Sequence, residues 1–174
     1  MSRSANFLAR TGGACWLMTI VTGTLALAGG SLGVAANLAA TLFYAAATVL
    51  VYLLLRPVSN GVSLVAAIFS YLGCALSILR VAQLAPPYPN PLALFALHCI
   101  LVGGLIYKST FLPRAVGALL AIGGLGWLTF AAPAISSRLA PFNMLPGFIG
   151  ELVLSLWLVA MGVNVARWNA MAKA

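Results

Sequence analysis

Six apolar runs, separated by short glycine-rich, proline-rich or basic breaks, constrain the fold of this 174-residue chain more than any other feature. About 20 apolar residues in a row are what an α-helix needs to cross the hydrocarbon core of a bilayer. The runs occupy residues 12–28, 34–55, 62–84, 92–107, 115–132 and 147–163. Only 6% of the residues are charged, against about 25% in soluble domains, so a soluble fold is excluded. We predict an all-α integral membrane bundle of six transmembrane helices, forming one domain over residues 1–174.

The basic residues divide unevenly between the two ends of this predicted bundle. One end would carry only Arg80 and Arg138. The other would carry Arg3, Arg10, Arg56, Lys108, Arg114, Arg167 and Lys173. Because cytoplasmic loops of membrane proteins are enriched in Lys and Arg, both termini are predicted to be cytoplasmic.

The formal net charge of +8 indicates an anionic partner, such as lipid headgroups or nucleic acid. The basic residues stand singly between apolar runs, which favours anionic lipid headgroups over nucleic acid. The turn that carries Lys108 and Arg114 is a candidate contact for anionic lipid or a cytoplasmic partner, and a tight basic turn in which Pro113 starts the next helix is the simpler interpretation. No nucleic-acid partner is expected.

Glu151 is the only acidic residue of the chain, and it lies inside the sixth apolar run. A carboxylate in an apolar membrane segment costs about 2.5–3.5 kcal/mol on insertion scales, so it needs a partner or a purpose. Gly147, Glu151 and Ser155 recur at every fourth position and therefore share one stripe of a helix. We expect this stripe to face protein and the opposite side of the helix to face lipid.

Three further polar residues are expected near the outer ends of their spans, at a depth similar to that of Glu151. These are Arg80, His98 and Asn37. Counted at 1.5 Å per residue, Arg80, His98 and Glu151 lie roughly 6–9 Å below the ends of the apolar runs. One interpretation is a structural ion pair between Arg80 and Glu151, helped by His98. Another is a polar pocket that opens outward, with Glu151 as proton acceptor or ligand anchor, and a third has Arg80 reaching the headgroups with no cluster.

Other patterns indicate how the helices pack. A polar stripe along the second run is expected to face other helices, as is the GGLG motif at residues 123–126, which allows close helix approach. The stripe consists of Asn37, Thr41, Tyr44, Thr48 and Tyr52. The odd number of cysteines, Cys15, Cys74 and Cys99, predicts free thiols and no disulfide. Residues 133–146, between the last two runs, are predicted to be a loop.

Most catalytic and cofactor sites are excluded by residue counts. One Glu and no Asp exclude a carboxylate pair, and one His excludes a multi-histidine zinc site and bis-histidine haem. The glycines at 123–126 lie inside an apolar run, so they do not form a dinucleotide-binding loop. No cofactor and no metal are expected, and an enzyme is the less favoured interpretation.

Three stretches carry a resemblance to a known family. They are KSTFLPR within residues 96–128, GELVLSLWLVAMGVNV at residues 150–165 and YLLLRPV at residues 52–58. Together they resemble the bacterial family called domain of unknown function 4386, of which this chain looks like a shortened member. The resemblance implies a polytopic inner-membrane protein of five to seven helices and implies no activity.

Two functions remain open at this point. The first is a non-enzymatic accessory or structural subunit that packs against other membrane proteins. The second is an outer-leaflet site for a small molecule or lipid, in a carrier or a membrane-embedded enzyme, that uses Glu151, His98 and Arg80. A cavity of roughly 300 Å³ or more that reaches Glu151 favours the second function, whereas a filled core favours the first.

Overall fold

The computed structural model describes residues 2–86 and 89–173, and most of this part of the chain is α-helical. Eight α-helices occur there, and two short 3-10 segments follow α1 and α5. The helices are α1 (Ser2–Leu25), α2 (Gly30–Leu55), α3 (Asn60–Val81), α4 (Pro91–Lys108), α5 (Arg114–Leu128), α6 (Pro133–Leu139), α7 (Met144–Ala160) and α8 (Val165–Met171).

Five of the helical segments are long and apolar enough to cross a membrane. A sixth candidate is α7, which meets α6 at a bend of 83° and qualifies only together with it. The prediction of an all-α membrane bundle is confirmed, with five or six candidate spans. The cytoplasmic position of the termini stays a prediction.

The six long helices pack in a closed ring, in the order α1, α2, α3, α4, α5, α7 and back to α1. Short connections join consecutive helices, so neighbours in the ring run antiparallel. Large apolar side chains face outward on every side of the ring, for example Leu42, Leu125 and Leu156. Such a continuous apolar exterior is what lipid requires and water does not tolerate. The centre of the ring holds buried aromatic and polar side chains.

Residues in the breaks between the apolar runs cap several of the helices. Ser59 Oγ accepts a hydrogen bond from the amide of Val62 at the start of α3. Asn90 Oδ1 accepts one from Leu92 N at 3.0 Å, and Pro91 occupies the first turn of α4, where its missing N–H costs nothing. Asn164 caps α8 in the same way.

Three helix boundaries differ from the prediction and matter for the site. Residues 133–139, predicted to be part of a loop, form α6, which begins at a proline suited to a first helical turn. The last long helix begins at Met144 instead of residue 147. α3 ends at Val81 instead of residue 84.

The two ends of the ring differ. We call the end with connections 56–59, 109–113 and 161–164 the basic end, and the end with connections 26–29, 82–90 and 129–143 the open end. At the basic end the indole Nε1 of buried Trp168 on α8 donates to the carbonyl of Leu54 at 2.8 Å. Buried Phe111 accepts from the amide of Asn164 at 3.1 Å through its carbonyl. These contacts close the basic end.

Close approach between helices depends on glycine, as the GGLG motif predicted. A Cβ at Gly123 would lie 2.7 Å from the carbonyl oxygen of Pro146 on α7, and a Cβ at Gly124 would lie 2.9 Å from that of Ala96 on α4. The motif thus brings α5 against both of its neighbours. Gly103 on α4 and Gly117 on α5 also allow close approach. A Cβ added to either glycine would lie 2.6 Å from the carbonyl oxygen of the other.

Candidate functional site

The carboxylate of Glu151 lies at the centre of the ring and accepts three hydrogen bonds from three other helices. Trp127 Nε1 on α5 donates to Oε1 at 2.8 Å, and Trp16 Nε1 on α1 donates to Oε2 at 3.2 Å. The thiol of Cys99 on α4 lies 3.5 Å from Oε1. The Glu151 side chain therefore connects α7 to α1, α4 and α5.

The stripe of Gly147, Glu151 and Ser155 faces protein, and this prediction is confirmed because all three residues are buried. Gly147 leaves room for the indole ring of Trp127, which a Cβ at that position would overlap. The Ser155 hydroxyl donates a hydrogen bond to the backbone carbonyl of Glu151 at 2.6 Å. Gly147, one turn before Glu151, thus lets Trp127 approach the carboxylate. Ser155, one turn after it, has its hydroxyl hydrogen-bonded within its own helix.

Aromatic rings surround the carboxylate. The rings of Trp16 and Tyr44 meet edge to face with centroids 5.4 Å apart, and those of Tyr44 and Phe95 at 4.6 Å. The Tyr44 hydroxyl lies 3.7 Å from the Cys99 sulfur. Because the Cys99 thiol hydrogen is directed to Glu151, Tyr44 is the donor to Cys99, and a short chain of donors ends on the carboxylate.

The remaining polar side chains of α2 also turn inward, as the stripe predicted. Thr41, Tyr44 and Thr48 are buried, while Asn37 and Tyr52 are half-buried. Thr48 shares a hydrogen bond of 2.6 Å with Ser70 on α3. Polar side chains of α2 therefore lie at several levels of an otherwise mostly apolar interior.

A cavity of about 400 Å³ leads from the open end of the ring to Glu151. We call it the central cavity. Residues from α1, α2, α3, α4, α5 and α7 line it, among them Gly23, Asn37, Tyr44, Arg80, Trp127 and Glu151. Apolar and aromatic side chains form most of its wall, and Glu151 lies far from the open end. The cavity has the size and the sparse polar lining of a small-molecule site.

Arg80 and Asn37 line the central cavity together with Glu151, so the structure brings three of the four residues in the predicted cluster to one place. The predicted direct ion pair is wrong, however. Among the described residues the donors to Glu151 are two indoles and a thiol, not a guanidinium. The helix boundaries explain this. Arg80 is next to the last residue of α3, whereas Glu151 is seven residues, or about 10 Å, into α7.

His98 stands apart from the central cavity. Its Nδ1 lies 2.8 Å from the backbone carbonyl of Ala66, which can only accept, so Nδ1 carries the proton. Its Nε2 has no hydrogen-bond partner among the described residues and lies beside a separate cavity of about 10 Å³, too small for a ligand. The predicted role of His98 as a partner of Glu151 is not supported by this geometry.

The basic turn lies at the opposite end from the opening of the central cavity. Lys108 and Arg114 are both exposed, and the Arg114 guanidinium lies 5.8 Å from the ring centroid of Tyr107. Arg167 on α8 donates to the carbonyl of Thr110 in the same turn at 3.1 Å. Three cations thus share the basic end. Their contact with anionic lipid stays a prediction.

The sequence analysis missed Trp16, Trp127 and Cys99 as site residues. Cys15, Cys74 and Cys99 are free, as predicted, but Cys99 is a donor to the carboxylate instead of an inert thiol. Each of the three lies in an apolar run, where a tryptophan or cysteine indicates packing as readily as hydrogen bonding. The sequence placed Arg80 and His98 at the depth of Glu151, so it gave no signal that the carboxylate has neutral donors instead. No group of three or more metal-ligating side chains occurs in the described residues.

Comparisons with known proteins support the resemblance seen in the sequence. The family model described as domain of unknown function (DUF4386) matches residues 88–162, the part of the chain that contains Cys99, Trp127 and Glu151. An uncharacterised protein of the archaeon Archaeoglobus fulgidus is 30% identical over 125 residues, which cover 68% of this chain and 76% of that protein. No solved structure matches the chain.

Proposed function

This chain belongs to the family of domain of unknown function 4386, and we propose that it binds a small amphipathic molecule in its central cavity, within the membrane. Glu151 is the ligand anchor of this site. The observation that carries the proposal is a cavity of about 400 Å³ that reaches Glu151, since a volume of roughly 300 Å³ or more separates a binding site from a filled core.

The character of the cavity wall supports an amphipathic ligand. Apolar residues such as Ile20, Phe95 and Phe148 form most of the wall. The charged residues of the lining are Glu151, far from the opening, and Arg80, near it. A ligand with an apolar body and one or two polar groups matches this arrangement, because each buried polar group then meets a counterpart.

The distribution of basic residues supports entry from the outer leaflet. The central cavity opens at the end that carries Arg80 and Arg138, and the basic end, where Lys108, Arg114 and Arg167 lie, is closed by Trp168 and Phe111. With the basic end at the cytoplasm, the opening faces the other side of the membrane. Which membrane holds the protein stays a prediction, as the relative from an archaeon does not indicate a bacterial one.

Binding or carriage is favoured over catalysis. An acid–base pair of Glu151 and His98 requires both side chains at one cavity, but His98 does not line the central cavity and its Nδ1 is committed to Ala66. A role as accessory subunit stays open, because the apolar exterior suits a partner helix as well as lipid. The two roles are compatible.

Filling the cavity tests the proposal. A Cβ at Gly23, which lines the central cavity, would meet no atom within 4 Å, so Gly23→Phe places a ring in open space. Gly104→Phe is the matched control, because a Cβ there also meets nothing within 4 Å and Gly104 does not line the cavity. Three probes of similar shape and different charge serve as ligands: tetraphenylphosphonium, tetraphenylborate and tetraphenylsilane.

Equilibrium dialysis of the purified protein in detergent, corrected for binding to empty micelles, gives the affinity of each probe. We expect the wild type to bind at least one probe, Gly23→Phe to bind it about tenfold or more weakly, and Gly104→Phe to bind it as the wild type does. Binding that is the same in Gly23→Phe, or no binding of any probe to the wild type, would refute the proposed site.

A further inference from the structure

The charge balance around Glu151 indicates what kind of ligand the central cavity takes. The three donors to the carboxylate, Trp16, Trp127 and Cys99, are all neutral groups. An indole N–H can donate a hydrogen bond but cannot accept one, so both tryptophans offer the Glu151 side chain only donors. Such surroundings suit an ionised carboxylate, which only accepts.

The protein itself supplies no cation next to that carboxylate in the part of the chain that the structure describes. The candidates are few, because the sequence holds nine Lys and Arg residues and one His. Of these, only Arg80 lines the central cavity, at its open end, and His98 is turned toward Ala66. An ionised carboxylate inside a membrane bundle without a charged partner is costly, so the site favours an occupant that brings positive charge.

The cavity wall next to Glu151 provides a second attraction for a cation. Tyr44, Phe95, Trp127 and Phe148 all line the central cavity, and the Tyr44 and Phe95 rings are in contact with centroids 4.6 Å apart. The faces of aromatic rings carry partial negative charge and attract cations, quaternary ammonium groups above all. An anion would meet these faces and the carboxylate with repulsion from both.

From this juxtaposition we infer that the ligand of the central cavity is a hydrophobic organic cation, such as a quaternary ammonium or phosphonium compound. The inference rests on the proposed function and adds the chemical class of the ligand. The positive centre lies against Glu151 and the aromatic rings, and the apolar substituents fill the remaining wall.

Arg80 gives the inference an internal check. It lines the same cavity and is half-buried next to the last residue of α3, so its charge lies between the open end and Glu151. A guanidinium in that position repels a cation and attracts an anion. The two charged residues of the cavity therefore predict opposite effects on any one charged ligand.

The experiment compares tetraphenylphosphonium with tetraphenylborate, a cation and an anion of nearly the same shape, by equilibrium dialysis. The proteins are the full-length wild type, Glu151→Gln and Arg80→Gln, with Gly104→Phe as the control outside the cavity. Glu151→Gln should bind the phosphonium about tenfold or more weakly, whereas Arg80→Gln should bind it about two- to fivefold more tightly. Gly104→Phe should match the wild type.

The outcomes separate the two claims. Wild-type protein that prefers the borate, or a phosphonium affinity that does not change in Glu151→Gln, overturns the cation inference, while sensitivity to Gly23→Phe leaves the proposed site intact. If Glu151→Gln does not fold, judged by its elution as a single species, Arg80→Gln decides. Weaker phosphonium binding in Arg80→Gln then contradicts the inference, and tighter binding supports it. If neither probe binds in a way that depends on Gly23, both claims fail.

Discussion

Glu151 has a structural role at the level of a single side chain, separate from any ligand. Its two oxygens accept hydrogen bonds from Trp127 at 2.8 Å and from Trp16 at 3.2 Å. Both indoles are buried. A buried N–H group that lacks an acceptor has lost its hydrogen bonds to water without replacement, and this destabilises the folded protein. The carboxylate is thus an acceptor that two large side chains share.

Replacing these donors one at a time should show unequal effects. Trp127→Phe removes the shorter bond and should lower the free energy of unfolding by about 1–3 kcal/mol. Trp16→Phe makes the same change in side-chain volume and removes the longer bond, so the loss should be smaller. Thermal unfolding in detergent gives the ranking.

A double-mutant cycle isolates the hydrogen bond from the change in packing. In the Glu151→Leu background, Trp127→Phe should cost clearly less than in the wild type, because leucine offers the indole no acceptor. The same cost in both backgrounds would mean that the Trp127–Glu151 bond contributes nothing to stability.

The sequence predicted the burial of Glu151 and the face on which it lies, but not its partners. A period of four among Gly147, Glu151 and Ser155 indicates a helix face directly. The choice of Arg80 as partner followed from charge and depth, and the depth depended on where α3 ends and α7 begins. An indole that donates to a carboxylate has the same sequence signature as one that only packs, so Trp16 and Trp127 could not be recognised.

At the level of helices, the contact between α4 and α5 depends on Gly103 and Gly117. A Cβ at Gly117 would lie 2.6 Å from the carbonyl oxygen of Gly103 and 2.6 Å from the amide nitrogen of Tyr107. Both neighbours are backbone, which cannot turn away as a side chain can. Any larger residue there must push the two helices apart.

Gly117→Ala should therefore lower the free energy of unfolding by about 1–3 kcal/mol, the typical cost of overpacking. Gly104→Ala, in α4 next to Gly103, should be neutral or stabilising, since a Cβ there meets nothing within 4 Å and alanine is the better helix former. Thermal unfolding of the two variants compares them directly. Equal melting temperatures would contradict the close contact as a source of stability.

Helices were predictable where apolar runs are long, and less so where a short amphipathic piece follows a proline. α6 has seven residues and carries the exposed apolar side chains of Ile135 and Leu139. Its composition is that of a loop. The helix begins with Pro133 in its first turn, and its axis meets that of α7 at an angle of 83°. A period of 3.6 cannot be established over so few residues.

At the level of the whole molecule, a membrane bundle of five or six candidate spans was predictable, whereas the order of helices around the ring was not. Apolar length and breaks determine the former. The latter depends on which small residues meet, as where Gly13 on α1 approaches the backbone of Ser155 on α7, with a Cβ 2.9 Å from its carbonyl oxygen. That approach belongs to the interface between α1 and α7 that closes the ring.

Orientation in the membrane is the prediction at this scale. Reporter fusions after Ala174 and within the 82–90 connection at Pro89 should report opposite sides, with the C-terminal fusion cytoplasmic, because the basic residues collect at the end where the chain terminates. Activity of the same reporter type at both sites would contradict an even number of spans before the C-terminus.

The hydrogen bond between Trp168 and Leu54 has a consequence for transport. Together with buried Phe111 and Leu112, it gives the interior a floor, so the protein has the form of a cup. A solute that enters this cup leaves by the route it came. Passage to the other side would require the basic end to open, and undocking of α8, which breaks the bond from Trp168 to the Leu54 carbonyl, would have to be part of that change.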